Sequence, residues 1–367
     1  MPDERDARWF AERMPSDDVL EDMLQGDTVD RLRGIARDRA VVNIDDDLIA
    51  KADADEKKVK AALKLATKAA KKIAESGDKA KLSDAEKDAL DLFIVLVSRP
   101  AIFVRKGTVA ERPENWPEVE QNADLLPGVI AGVGRIENAE HSGRGTGFIV
   151  GPRRILTNNH VLCSLFGLAL NAWQTSPDDF AKLCKSNSKE WSKKKKTDSP
   201  FFELRGELGS KESSTARVTR ILGHHLEVDM AVLELDEEPA GSRQLSLTKD
   251  EPPAFKGRRI FAVGYPMVDS LKVTPAPVFK RVFGADEKSL GTKRFSPGTI
   301  IEWGGANQFS HDASTLAGSS GSAIVDFEQR SVVGLHYWGI YNNANRAVPL
   351  WKFRDDPVLA DNGVVFG

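Results

Sequence analysis

Ser320 stands in DASTLAGSSGSAIVD (312–326), flanked by Gly318 and Gly321 between apolar runs, an arrangement that exposes a hydroxyl on a tight turn. A serine hydroxyl is a weak nucleophile near neutral pH until a histidine takes its proton, and the imidazolium so formed needs a carboxylate to hold its tautomer. Two other segments supply those groups: GTGFIVGPRRILTNNHV (145–161) carries His160 and HHLEVDMAVLEL (224–235) carries Asp229. The pattern assigns nucleophile to Ser320, general base to His160 and orienting acid to Asp229. The backbone N–H groups of Gly318 and Ser320 are the expected oxyanion donors, with glycine keeping their approach free of a side chain. The chemistry is attack on a carbonyl, an acyl-enzyme and its hydrolysis by water activated through the same histidine. It calls for no cofactor.

The elements that must position these groups are short strands. His160 follows an apolar run (148–150), a Gly151-Pro152 turn and the pair Ile155-Leu156, so it sits where a hairpin ends. Asp229 precedes a segment in which Ala231, Leu233 and Leu235 alternate as in a half-buried strand.

With these motifs the chain resembles a chymotrypsin-fold serine peptidase, closest to the bacterial glutamyl endopeptidase and HtrA-like branches. The resemblance covers roughly 126–367 and rests on five stretches. These are Thr157-Asn158-Asn159-His160-Val161, Val228-Asp229-Met230-Ala231, Val263-Gly264-Tyr265-Pro266, the run 318–322 and Gly334-Leu335-His336. The order His, Asp, Ser is also the family's, unlike the orders of subtilisin-like and α/β-hydrolase triads. It implies two packed six-stranded barrels with the triad in the cleft between them. Ser319 replaces the aspartate that pairs with a new amino terminus in digestive enzymes, which puts that activation switch in doubt, and Ala323 replaces the usual proline.

The resemblance also implies a specificity pocket. Glutamyl endopeptidases place a histidine after a Gly-aliphatic pair and a threonine or serine shortly before the nucleophile, here His336 and Thr315. Six residues before Ser320, where an acid would receive basic substrates, stands Ser314. An imidazole and a hydroxyl can both donate to a carboxylate, so preference for glutamate at the cleaved bond is expected. The competing expectation is a core histidine beside a pocket for small or apolar groups.

Other features point away from other chemistries. His141, His311, Cys163 and Cys184 lack metal-ligand spacing, so no metal is expected. At most one of the adjacent His224 and His225 could approach the triad. Lys193–Lys196, in a polar insertion (185–199) expected to be a solvated loop, has no aromatic ladder, and the net charge is −3, so no nucleic-acid partner is expected. The first residues, MPDERDARWFAERMP, form neither a secretory signal nor a membrane span. Two cysteines make no disulfide framework, which favours a cytoplasmic setting.

The first hundred residues differ in kind. No proline or glycine interrupts 47–76, where Val59, Leu63, Ala66, Ala70 and Ile73 recur at helical spacing. Ser83 and Glu86 have capping-box spacing and should open a second helix carrying Leu90, Phe93, Ile94 and Val97 up to Pro100. Periodic segments at 7–14 and 19–39 would complete a small bundle, the proline-spaced stretch 99–127 reads as a connector, and Val129 to Glu137 begins the strand-rich part. The expected fold is therefore α+β and multidomain: a helical adaptor or regulatory domain over 1–110 and a mainly antiparallel double β-barrel peptidase over 111–367. The helical domain is expected to dock a protein partner or to cover the cleft as a prodomain. Glu111, Glu114, Glu118 and Glu120 make the connector a candidate for self-cleavage. The function expected of the whole is serine endopeptidase, with protein or peptide substrates; the alternative is a catalytically idle peptide-binding module on the same fold.

Overall fold

The computed structural model describes residues 7, 10, 46–113, 115–193, 199–253, 255–267, 279, 282–283, 290–303, 305–339 and 344–367, the side chains of 46–60, 96–97 and 303 excepted. They belong to two compact units: Met1–Ala101 with Asp269–Ser289 and Tyr341–Asn343, and Ile102–Val268 with Leu290–Ile340 and Ala344–Gly367.

In the first unit, α1 (Asp46–Ser76) and α2 (Asp84–Ser98) pack together. Four members of the expected stripe, Leu63, Ala66, Ala70 and Ile73, are buried; Val59 lies outside the described side chains. The capping box forms as its spacing requires: Ser83 Oγ accepts from Glu86 N–H at 3.3 Å and Ser83 N–H donates to Glu86 Oε2 at 2.9 Å. Lys72 bridges α1 to the same carboxylate at 2.6 Å. That ammonium first, then the Ser83 amide, hold the Glu86 carboxyl below its ordinary range. Ala7 and Phe10 are helical and buried; the rest of the two earlier helical segments lies outside the described residues.

The second unit runs, in chain order, through β1 (Ile102–Arg105), β2 (Thr108–Val109), α3 (Pro117–Gln121), α4 (Leu126–Ile130), β3 (Val133–Glu137), β4 (Gly143–Gly151) and β5 (Arg154–Thr157). Next come α5 (Asn159–Leu165), α6 (Ala172–Thr175), α7 (Pro177–Trp191), β6 (Phe201–Glu203), β7 (Thr215–His224), β8 (Ala231–Leu235) and β9 (Arg259–Gly264). It ends with β10 (Arg294–Trp303), β11 (Phe309–His311), β12 (Ala323–Asp326), β13 (Val332–Trp338), β14 (Asn345–Pro349) and α8 (Pro357–Ala360). Two closed six-stranded antiparallel barrels result. The first has the order β3-β4-β5-β8-β7-β6; the second runs β9-β10-β11-β14-β13-β12, closed by pairing of β10 with β11. Strands β1 and β2, from the stretch read as connector, extend the second barrel's sheet at β10.

Expectation and structure part in three places. Strand β8 is buried on both faces: Ala231, Leu233 and Leu235 enter one core, while Met230 and Val232 enter a second that both barrels share. Barrel-on-barrel packing covers the face that an open sheet would leave to solvent. Val129 and Ile130, read as the start of the first strand, close α4, because Pro127 sits at a position where proline starts a helical turn. The segment 185–191, read as loop, continues α7, whose Phe180, Cys184 and Trp191 are buried.

Candidate active site

Strand register brings His160 and Asp229 together. Thr157 at the end of β5 pairs with Ala231 at the start of β8, so the residues just beyond each, His160 and Asp229, emerge at the same end of the first barrel. Asp229 Oδ2 lies 2.5 Å from His160 Nδ1, and Asp229 Oδ1 accepts the His160 backbone N–H at 3.0 Å. The carboxylate is buried and the imidazole half-buried. A carboxylate can only accept, so the short contact calls for a hydrogen on Nδ1 and turns Nε2 away from Asp229.

The turn that presents Asp229 is clamped by side chains the sequence reading did not single out. The Asn158 amide donates to Asp229 O at 2.7 Å, and the Asn159 amide to His225 O at 2.7 Å and Val228 O at 3.2 Å. His225 does not join the pair. Its Nδ1 accepts from the N–H groups of Glu227 and Val228, both at 3.0 Å, and its Nε2 lies 3.3 Å from Asp356 Oδ2. His224 sets its ring edge-on to Phe180 at 5.1 Å; burial first, then His225, hold its pKa below the usual imidazole value. The only sequence signal for the clamp is the Asn-Asn pair itself, since its acceptors are backbone carbonyls.

Ser320 stands on the second barrel, on the turn leading into β12. Gly318 and Gly321 adopt φ values of +96° and +91°, the left-handed region that glycine occupies without penalty. A Cβ on Gly321 would come within 1.8 Å of Thr146 O, so glycine is also required sterically. The Ser319 carbonyl accepts from Ser322 N–H at 2.9 Å and Ser322 Oγ–H at 2.5 Å, and the Ala317 carbonyl accepts from Met267 N–H at 2.8 Å. These bonds orient the two peptide planes that contain the Ser320 and Gly318 N–H groups. Among the described residues neither N–H has a protein acceptor, and Ser320 Oγ has no hydrogen-bond partner. Buried Ser319 fills the site of the missing aspartate, its Oγ accepting from Leu316 N–H at 3.4 Å.

The expected pocket residues gather near this turn. His336 on β13 accepts the Gly321 N–H through its carbonyl at 2.8 Å, and its Nδ1 lies 3.1 Å from His311 Nε2. Burial first, then His311 and His160, hold the His336 imidazole well below its ordinary pKa; burial brings His311 down to about 4. Gly145 stands between the two segments: a Cβ there would lie 2.6 Å from Val161 Cγ2 and 3.3 Å from Ser320 O, so the residue that follows His160 is a close neighbour of the turn bearing Ser320. Thr315 Oγ1 donates to Asn345 Oδ1 at 2.8 Å, and Gly339 faces both, since a Cβ there would lie 3.1 Å from Thr315 Oγ1. Ser314 is half-buried on the same segment.

Paired six-stranded antiparallel barrels of this topology are the chymotrypsin-type fold. The chain belongs to the trypsin-like peptidase family: that domain's description matches residues 145–335, more than half of its 367 residues. No curated protein matches the chain. Among solved structures it is similar to an inactive mutant form of Rv3671c from M. tuberculosis H37Rv, at 16% identity and TM-score 0.40 over 67% of this chain and 94% of that one. It is also similar to a serine endoprotease from Yersinia pestis, at 17% identity and TM-score 0.41 over 69% of each chain. Among the described residues no helix is long and apolar enough to cross a membrane.

Proposed function

We propose that the protein is a serine endopeptidase in which Ser320 attacks a peptide carbonyl, His160 relays the proton, Asp229 orients the imidazole, and the Gly318 and Ser320 N–H groups receive the oxyanion. The observation that carries this reading is the double contact of Asp229 with His160. It turns Nε2 away from the acid on a residue whose neighbour Val161 packs beside the turn bearing Ser320, whose hydroxyl has no partner among the described residues. A fluorophosphonate probe should label Ser320 in the wild type and not in His160→Ala. No labelling of full-length or trimmed protein would instead favour the idle peptide-binding module.

The pocket reading deepens to an acidic preference, glutamate above aspartate. His311 Nδ1 is buried without a partner, so its proton sits on Nε2 and is donated to His336 Nδ1, because an unpaired buried donor costs more than a bare acceptor. His336 Nε2 then carries a hydrogen. A substrate carboxylate would take that hydrogen, with Ser314 and the Thr315 hydroxyl, which donates to Asn345 Oδ1 in the unliganded pocket, as the other expected contacts.

The helical unit acts as an adaptor for a protein partner, and the free, buried Cys163 and Cys184 fit a reducing compartment such as the cytoplasm. Self-cleavage falls at Glu111, which lies outside regular structure, or at Glu114, which lies outside the described residues. Glu118 is fixed in α3 by Arg259 at 2.7 Å, and Glu120 is paired with Arg112.

A further inference from the structure

Thr146 on β4 is fully buried, and two of its hydrogen bonds reach the turn bearing Ser320 while two others tie it to Tyr265 and Thr157. Its N–H donates to Ser320 O at 2.7 Å, and its Oγ1–H donates to Gly318 O at 2.7 Å. The same Oγ1 accepts Tyr265 N–H at 3.1 Å, while the Thr146 carbonyl accepts Thr157 Oγ1–H at 2.7 Å. Thr157 ends the strand that leads, three residues on, to His160. Two hydrogen bonds through one residue therefore join the segment holding the base to the residue holding the nucleophile, across the two barrels.

We propose that Thr146 is a positioning residue for catalysis: its hydroxyl fixes the Gly318 peptide so that the oxyanion donors stay aimed, and its backbone sets the distance between the His160 and Ser320 segments. The proposal rests on the reading of Ser320 as nucleophile. A hydroxyl has one proton to give, and the Tyr265 N–H pointing at the oxygen directs that proton to Gly318 O. Packing leaves the turn no slack, since a Cβ on Gly318 would lie 2.6 Å from Tyr265 O and 2.7 Å from the Met267 side chain. The Gly318–Ser319 peptide is held from both sides, by Thr146 Oγ1–H on Gly318 O and by Ser319 N–H on Leu316 O at 2.9 Å. Losing the hydroxyl leaves its carbonyl unpaired and one anchor in place, and a small tilt at the glycine takes the adjacent donor out of line.

The test compares the rate constant of fluorophosphonate labelling at saturation with the probe's apparent affinity in full-length wild type, Thr146→Val and Thr146→Ser. Loss of an aligned donor predicts a labelling rate about 10 to 100-fold lower in Thr146→Val, affinity changed by less than about threefold, and recovery in Thr146→Ser. Should the valine variant not fold by near-ultraviolet circular dichroism, Thr146→Cys, of similar size and a weak donor, carries the same expectation. A folded valine or cysteine variant that labels at the wild-type rate overturns the proposal, as does a serine variant as slow as the valine one. Wild type that does not label at Ser320 removes the nucleophile reading and this proposal with it.

Discussion

Asp229 holds His160 at two points, the ring through Nδ1 at 2.5 Å and the backbone N–H at 3.0 Å, so one carboxylate fixes both the tautomer and the place of the base. An asparagine at this position can keep the fold, but it offers one oxygen where two are used. Asp229→Asn should lower kcat by about 10,000-fold, the scale seen when the orienting acid of such a triad is lost, with KM changed far less. Steady-state kinetics on a peptide substrate, with thermal melting as a control for folding, checks this.

The pocket makes its own prediction. Removing the His336 donor deletes a hydrogen bond to a charged group, worth about 1.5–3 kcal/mol. His336→Leu should thus lower kcat/KM for peptides with glutamate at the cleaved bond by roughly 10 to 100-fold and leave alanine or leucine peptides near their original rates. A fluorogenic panel reads both; preference for alanine, leucine or lysine in the wild type would eliminate the acidic pocket.

The His311–His336 pair links stability to pH. Both rings are held neutral by burial, His311 down to about 4, whereas an unfolded imidazole titrates near 6.5. The unfolded chain therefore binds more protons between these values, and stability falls as pH drops through them. His311 alone accounts for about 3 kcal/mol lost between pH 6.5 and 4. Urea midpoints at pH 7, 5.5 and 4.5 should show this loss, and His311→Gln should reduce it.

Lys293 adds an effect of the same sign at higher pH. Its Nζ donates to the carbonyls of Ile130 and Leu204, both at 2.8 Å, and burial brings its pKa down to about 7. Between pH 7 and 10 the unfolded chain again binds the extra proton, so stability rises with pH by on the order of 4 kcal/mol. Tyr265, pushed well above its ordinary value by burial, opposes this trend only above pH 10. Lys293→Met should flatten the slope between pH 7.5 and 9.5 in denaturant titrations and be least stable relative to wild type at the alkaline end, where two carbonyls lose a donor.

Prolonged incubation of the purified protein should produce a mass corresponding to scission after Glu111 or Glu114. The Ser320→Ala variant should stay intact. Identical full-length masses for both would dispose of self-processing.

Much of this was legible in the residues because the signals are local. The Ser83–Glu86 box announces α2 within four positions, and the turn at Gly151-Pro152 announces the hairpin that delivers His160. The Asn158 and Asn159 clamp was not legible, since its acceptors are main-chain carbonyls 66 to 71 residues away, and a carbonyl has no letter in a sequence. Thr146 was hidden for the same reason. The end of α7, from Lys185 to Trp191, was read as loop because lysines and serines outnumber its few apolar anchors, and the end of α4 was read as strand because a single turn is too short to show a period.

Strand β1 gives that scission an unexpected outcome. Ile102 and Phe103 pair with Phe295 and Arg294 of β10, and Ile102 and Val104 are sunk in the shared apolar core. Glu111 and Glu114 lie downstream of this anchor in the chain, so the severed amino-terminal piece would remain stitched into the barrel sheet. Two bands under denaturing electrophoresis would then coincide with one peak in native size exclusion: a nicked heterodimer rather than a liberated enzyme.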